Sequence, residues 1–128
     1  MGIHYEFQND LVVFTYTGDF DMRTLLKTWG EAVADPAFKP VTKIIIDARR
    51  SKLNIPTDQM EFQAIIVTGT ESLSTVKWAV VTGENTLAFG LSRMFQSFAD
   101  LNGLEIEVFK DYDQTLDFLS SSSAFPSA

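Results

Sequence analysis

A single α/β domain built on a largely parallel sheet is what this sequence predicts, and three observations predict it. Short β-rich runs alternate with longer amphipathic segments along the chain, the pattern of strands joined by crossover helices. The first two runs are separated only by Asn9-Asp10, so the first strand pairs antiparallel with the second, at or near a sheet edge. No linker and no internal repeat divides the 128 residues, a length near the commonest domain size. The expected order is β-β-α-β-α-β-α-β-α, as one domain over 1–119 with a frayed Ser-rich tail over 120–128.

Ile3 to Gln8 and Leu11 to Thr17 form the opening hairpin, because Asn9-Asp10 tolerates the left-handed conformations of a tight turn. Gly18-Asp19 breaks the second strand. Asp21 then caps a helix carrying Met22, Leu25, Leu26, Trp29 and Val33 on one face, and Asp35-Pro36 ends it. Lys43 to Asp47 is an apolar run closed by a carboxylate, the pattern of a central strand covered on both faces. A polar loop, Ala48 to Pro56, follows. Thr57 or Asp58 offers the next N-cap, with Glu61 three residues after Asp58, and the helix runs to about Val67 before Gly69. Phe62, Ala64, Ile65, Ile66 and Val67 point all round its wheel, and Ala64 to Thr68 alone also fits a strand. Val76 to Thr82 is the next buried strand, Asn85 caps the longest helix, and Asn102-Gly103 stops it. Leu104 to Phe109 is the last strand, and Asp111 or Asp113 starts a final helix through Leu119.

Composition excludes several chemistries. Ten Lys and Arg against seventeen Asp and Glu give a net charge of −7, which repels a nucleic-acid backbone, and no basic run is long enough to override that field. The absence of cysteine removes disulfides, thiolate nucleophiles and thiolate metal sites, and suits a reducing compartment. No apolar stretch approaches the roughly 20 residues that span a bilayer, and Met1 to Glu6 carries neither the basic flank nor the apolar run of a secretory signal. A cytoplasmic protein without cofactor or bound metal is expected.

The lone histidine, His4, lies in the opening strand, so neither a His metal cluster nor a Ser-His pair is supported. An enzyme would have to use carboxylates. Asp19, Asp21 and Asp47 could converge at one sheet edge as a hydrolase site, but turn, cap and strand-end roles account for all three. Thr82-Gly83-Glu84-Asn85 joins a strand to a helix without a dinucleotide fingerprint or a Walker lysine. Thr82 is kept as a candidate binding residue and Gly83 reads as a turn residue. Arg49-Arg50-Ser51-Lys52 concentrates positive charge just after the central strand, where open α/β sheets bind ligands. Asp47, Arg49, Arg50, Lys52 and Thr57 are therefore candidates for an anionic ligand or an acidic protein surface. A solvated loop is the plainer alternative. On the long helix, Phe89 falls nearly opposite the apolar arc with Arg93 one turn later, so the two form a candidate outward-facing stacked pair.

The order of these motifs resembles a family. The hairpin ending in Gly18, the strand Ile44-Ile45-Ile46-Asp47, the segment Lys77 to Val81, the stretch Phe89 to Met94, and the ending Val108-Phe109 with Thr115 to Leu119 look like the SpoIIAA-like bacterial proteins. The resemblance covers nearly the whole chain. It implies a β/α superhelix shared with STAS domains, including anti-sigma factor antagonists, and with CRAL-TRIO lipid-binding domains, relatives that bind rather than catalyse. In the antagonists a phosphorylatable Ser lies in an Asp-Ser-x-Gly turn at the start of the helix after the central strand. Here the stretch reads Asn54-Ile55-Pro56-Thr57-Asp58 with no Gly following, which leaves Thr57, offset by a residue, as the candidate phosphosite. The expected function is a non-catalytic, homodimeric STAS-type module that contacts a regulatory protein partner or an anionic ligand through Asp47 to Thr57 and the start of the long helix. The alternative is a small carrier of an apolar or phospholipid-like ligand, which requires a closed apolar cavity beneath the second and long helices. A carboxylate-based hydrolase is the minor alternative.

Overall fold

A computed structural model describes residues 2–70, 73 and 76–121, and at positions 57, 61, 62, 64, 66, 68 and 121 it describes the backbone only. The elements are β1 (Gly2–Gln8), β2 (Leu11–Gly18), α1 (Met22–Ala34), a 3-10 turn (Pro36–Phe38), β3 (Lys43–Ser51), α2 (Thr57–Thr68), β4 (Lys77–Val81), α3 (Thr86–Leu101), β5 (Ile106–Phe109) and α4 (Tyr112–Ser121). The five strands lie in the order β1-β2-β3-β4-β5. β1 pairs antiparallel with β2, and every later pair is parallel. Each crossover places its strand beside the previous one, so α1, α2 and α3 fall on one face of the sheet, as crossovers of a single hand require. The α/β class, the element order and the antiparallel edge strand are those read from the sequence.

Local chemistry sets the boundaries. Asn9 adopts φ 59° in the hairpin turn, and Gly18 adopts φ 68° where β2 stops, a left-handed conformation that glycine enters without penalty. The Asp21 carboxylate accepts from the Thr24 amide at 2.8 Å to open α1. Asp35 donates its own amide to Ala32 O and accepts from the Ala37 amide, so one residue closes α1 and opens the 3-10 turn. At the end of α3, Leu104 N donates to Ala99 O and Gly103 N donates to Asp100 O, the paired bonds of a glycine-stopped helix.

Two boundaries differ from expectation. β3 does not stop at Asp47 but continues to Ser51, because a bulge in β2 between Thr15 and Thr17 lets the ladder resume with Thr17 beside Arg50 and Gly18 beside Ser51. The arginines are therefore strand residues, not loop residues. α2 starts at Thr57 with Pro56 in the cap position at φ −60° and ψ 151°, and no side chain caps it. The fixed ring of Pro56 ends the extended segment, which leaves Thr57 and Asp58 inside the first turn rather than capping it. α4 reaches Ser121, beyond Leu119, and the rest of the expected tail, 122–128, lies outside the described residues.

Strand alternation separates two faces. Val12, Phe14, Ile44, Trp78 and Val80 point toward α1 and α3, where Ala32, Ala88 and Ala99 allow close approach. Ile45, Ala79 and Val81 point the other way and are covered by α4 through Leu119 and Phe118. Lys77 fixes that last helix: its Nζ donates to Phe118 O at 2.7 Å and lies 3.8 Å from the Phe118 ring centroid. α4 packs on β4 and β5, whereas His4, Glu6 and Gln8 on the same face of β1 are exposed.

On the helix-covered face, the Trp29 ring stacks on Phe14 at 3.7 Å and 10° and on Trp78 at 5.3 Å and 16°. Its Nε1 donates to the Tyr16 hydroxyl at 2.9 Å, while Trp78, only 1% exposed, donates to Leu73 O at 2.7 Å. Asn85 joins helix and sheet. Its Oδ1 caps the Ala88 amide at 3.1 Å, and its Nδ2 donates to Ser51 O at 2.7 Å and Ala48 O at 3.1 Å at the end of β3.

Trp29→Ala is expected to lose about 3–5 kcal/mol of unfolding free energy in urea titration, as large-to-small core substitutions do. Asn and Asp are interchangeable as plain caps, but Asn85→Asp turns an acceptor toward three carbonyls, those of Ala48, Arg49 and Ser51. It is expected to lose about 2–3 kcal/mol in the same titration. Unchanged stability would assign Asn85 to capping alone.

Candidate functional site

The segment that continues β3 builds the first feature. Ser51, Leu53 and Ile55 are buried while Lys52, Asn54 and Pro56 are exposed, so the chain runs extended with one side turned under the helices. Together with Leu25 of α1, Met60 of α2 and Phe95 of α3, these residues line a partly open cavity of about 160 Å³, which Tyr16, Trp29 and Trp78 also border. Leu26, 45% exposed, stands at its rim. The apolar-carrier alternative looks for a closed cavity here; the structure has a partly open apolar pocket beneath α1, α2 and α3.

Its polar groups are few. The Tyr16 hydroxyl accepts from Trp29, and the Ser51 hydroxyl accepts from the Leu53 amide at 3.2 Å. Gln63 Nε2 is turned to the Met22 thioether at 2.8 Å. Burial pushes the Tyr16 phenol well above its ordinary value, only partly opposed by the Trp29 hydrogen bond, so Tyr16 stays neutral and keeps its proton.

The second feature lies on the opposite sheet face at the carboxyl ends of the strands. A shallow polar depression of about 260 Å³ is lined by His4, Glu6, Thr15, Asp47, Arg49 and Tyr112, among others. Arg49 Nε and Nη2 hold the Asp47 carboxylate at 2.9 and 2.8 Å, and the Arg49 amide donates to it at 3.2 Å. The guanidinium also lies 5.0 Å from the Tyr112 ring centroid. A Cβ on Gly83, which has φ +57°, would meet Arg49 Cγ at 3.1 Å, so this glycine serves both the turn and the passage of the arginine stem. Burial raises the Asp47 pKa, but hydrogen bonds and charge from Arg49, with the charge of Arg50, outweigh it and hold the carboxyl below its ordinary range. Burial, then the Asp47 charge, raises the Tyr112 phenol.

The residues singled out in the sequence divide among separate places. Asp47 and Arg49 neutralise one another, so the positive charge left at the end of β3 belongs to Arg50 and Lys52, both exposed. Thr82 is fully buried, with its amide donating to Phe109 O at 2.9 Å. Phe89 and Arg93 do form the expected pair, with Arg93 at 5.8 Å and Lys110 at 5.1 Å from the ring centroid. They lie away from the cavity, which α3 lines instead with Ala88, Leu91, Ser92 and Phe95. The side chain of Thr57 lies outside the described residues. Asp21 is taken up in capping α1 and Asp47 in the Arg49 pair. Sequence reasoning missed Tyr16, Trp29 and Ser51 as a set. The available signal was the period-two burial hidden in Ser51-Lys52-Leu53-Asn54-Ile55, read as a polar loop.

A carboxyl whose pKa drops on folding adds stability above its ordinary value, here 3.8, and loses it as pH falls through the lowered value. Asp47→Asn is therefore expected to be less stable than the parent chain by about 1 kcal/mol at neutral pH. The gap should close toward about pH 3, read by urea unfolding across that range.

No protein-family model and no curated protein matches the chain. Among solved structures, the anti-sigma factor antagonist SpoIIAA in its unphosphorylated form is similar, with a TM-score of 0.59 over 93% of this chain and 98% of that one, at 11% identity. Identity this low carries the fold and not the activity. The chain has the SpoIIAA-type, STAS-like α/β fold that the order of its motifs resembles.

Proposed function

We propose that the protein is a non-catalytic binding module of STAS type that engages a regulatory protein partner through the end of β3 and the start of α3. The observation that carries this reading is the likeness to SpoIIAA over nearly the full length of both chains, since the antagonist named there acts on another protein. Local charge supports it. With Arg49 committed to Asp47, exposed Arg50 and Lys52 leave a small basic patch on a chain of net charge −7, suited to an acidic patch on a partner. A homodimer belongs to this reading, supported by Leu87 of α3, a large apolar side chain 43% exposed. The candidate phosphosite Thr57, first residue of α2, belongs to it as well, because added phosphate there would sit at the positive, amide end of a helix. No helix among the described residues is long and apolar enough to cross a membrane.

A second reading has its own observation. The cavity under α1, α2 and α3 is lined almost wholly by apolar side chains, which supports a small apolar ligand held inside the domain.

Native mass spectrometry of protein taken directly from cells, as the parent chain and as Arg50→Glu/Lys52→Glu, tests both. The parent is expected as a dimer carrying a stoichiometric protein partner that the charge-reversed variant loses. A partner kept equally by both chains overturns the proposed surface, and a bound small-molecule mass without a partner favours the second reading.

A further inference from the structure

The cavity constrains what it can hold. An apolar cavity of about 150 Å³ stays dry and takes up benzene, and the one here measures about 160 Å³. A single six-membered ring with a short substituent fills such a space, whereas a two-chain lipid exceeds it several-fold. The lining favours an aromatic occupant, because Trp29 and Trp78, stacked on one another at 5.3 Å, both border the pocket and aromatic rings pack well edge on against such a pair.

Charge is a second constraint. Among the described residues no Lys, Arg, His, Asp or Glu lines the pocket, so an ionised ligand would meet no counter-charge from them, at a cost of several kcal/mol.

Hydrogen-bond bookkeeping supplies the third. The Tyr16 hydroxyl is a donor and a double acceptor; it accepts from Trp29 Nε1, and among the described residues nothing accepts its own proton. The Ser51 hydroxyl, also of a lining residue, accepts from the Leu53 amide and likewise has no acceptor for its proton among the described residues. Three hydroxyls, those of Tyr16, Ser51 and Ser92, thus line a pocket whose other described side chains, Gln63 apart, are apolar.

Resting on the second reading above, we propose that this cavity is a binding site for a neutral single-ring aromatic molecule carrying one hydrogen-bond acceptor, such as an aryl ketone or ester. Trp29 and Trp78 pack its ring, Tyr16 donates to its acceptor with Ser51 beside it, and Leu26 guards the mouth. The bond from Trp29 into the Tyr16 oxygen polarises the phenol and makes it a better donor.

The test uses three probes of similar size on the full chain: acetophenone, ethylbenzene, which lacks the acceptor, and benzoate, which is charged. Binding is followed by titration, with the indole N–H resonances of the two Trp residues reporting the site. Acetophenone is expected to bind about fivefold more tightly than ethylbenzene, the worth of one net hydrogen bond, to shift the Trp29 N–H signal, and to exceed benzoate by more. Tyr16→Phe should remove the acetophenone advantage and leave ethylbenzene binding unchanged. The ranking of the three probes on the unmodified chain carries the test if that variant folds poorly. Binding of neither neutral probe overturns the cavity reading itself. Equal binding of acetophenone and ethylbenzene, unchanged by Tyr16→Phe, or preference for benzoate, overturns the acceptor inference and leaves the cavity reading standing.

Discussion

The indole of Trp29 meets Phe14 face to face, lies nearly parallel to Trp78, and donates its N–H to Tyr16. These contacts tie α1 to side chains from β2 and β4, two strands separated by β3. A ring has few rotatable bonds, so three of them in contact hold the helix at a set distance from the sheet with little loss of conformational freedom. Small residues do the opposite at the edges of the same face, where Ala32, Ala88 and Ala99 let α1 and α3 settle closely. Large rings in the middle and small side chains at the flanks leave unfilled space between them. The cavity therefore follows from how the core is packed, and the aromatic rings keep α1, α2 and α3 from closing over it.

The other focus is the end of β3, where three polar devices meet within a few residues. Asn85 reads the backbone of Ala48 and Ser51 while capping α3. Arg49 closes on Asp47 and lies against Tyr112. Gly83 leaves room for the arginine stem. Because successive strand residues point to opposite faces, Ala48 contributes to the apolar cavity while Asp47 and Arg49 belong to the polar depression. One strand end thus serves two surfaces of opposite character, and a change at Asn85 is felt on both.

Much of the fold was legible because it rests on local signals. Asp21, Asp35 and Asn85 are caps whose partners lie within three residues, and the Asn9 turn and the Gly103 stop are equally local. The Phe89 and Arg93 pair was legible for the same reason, being one helical turn apart. The continuation of β3 through Arg49 and Arg50 was not, since it depends on a bulge in a different strand, between Thr15 and Thr17. Tyr16 read only as a strand former, because its partner Trp29 is thirteen residues away on a helix. The cavity draws on β2, β3, β4 and all three covering helices, and no local window contains it.

Sequence alone determined the class, the succession of elements, the antiparallel first strand, and the absence of the thiol and histidine constellations that much catalysis requires. Those follow from side-chain period, turn chemistry and composition, which neighbouring residues decide among themselves. Only the tertiary structure decided the strand order, the pairing that cancels Arg49 against Asp47, and the assembly of a largely apolar pocket bordered by the hydroxyls of Tyr16, Ser51 and Ser92. These depend on which residues meet across the sheet and between helices, and on the volume left when rigid rings and small side chains pack together. Such quantities belong to the assembled core, and no single segment encodes them.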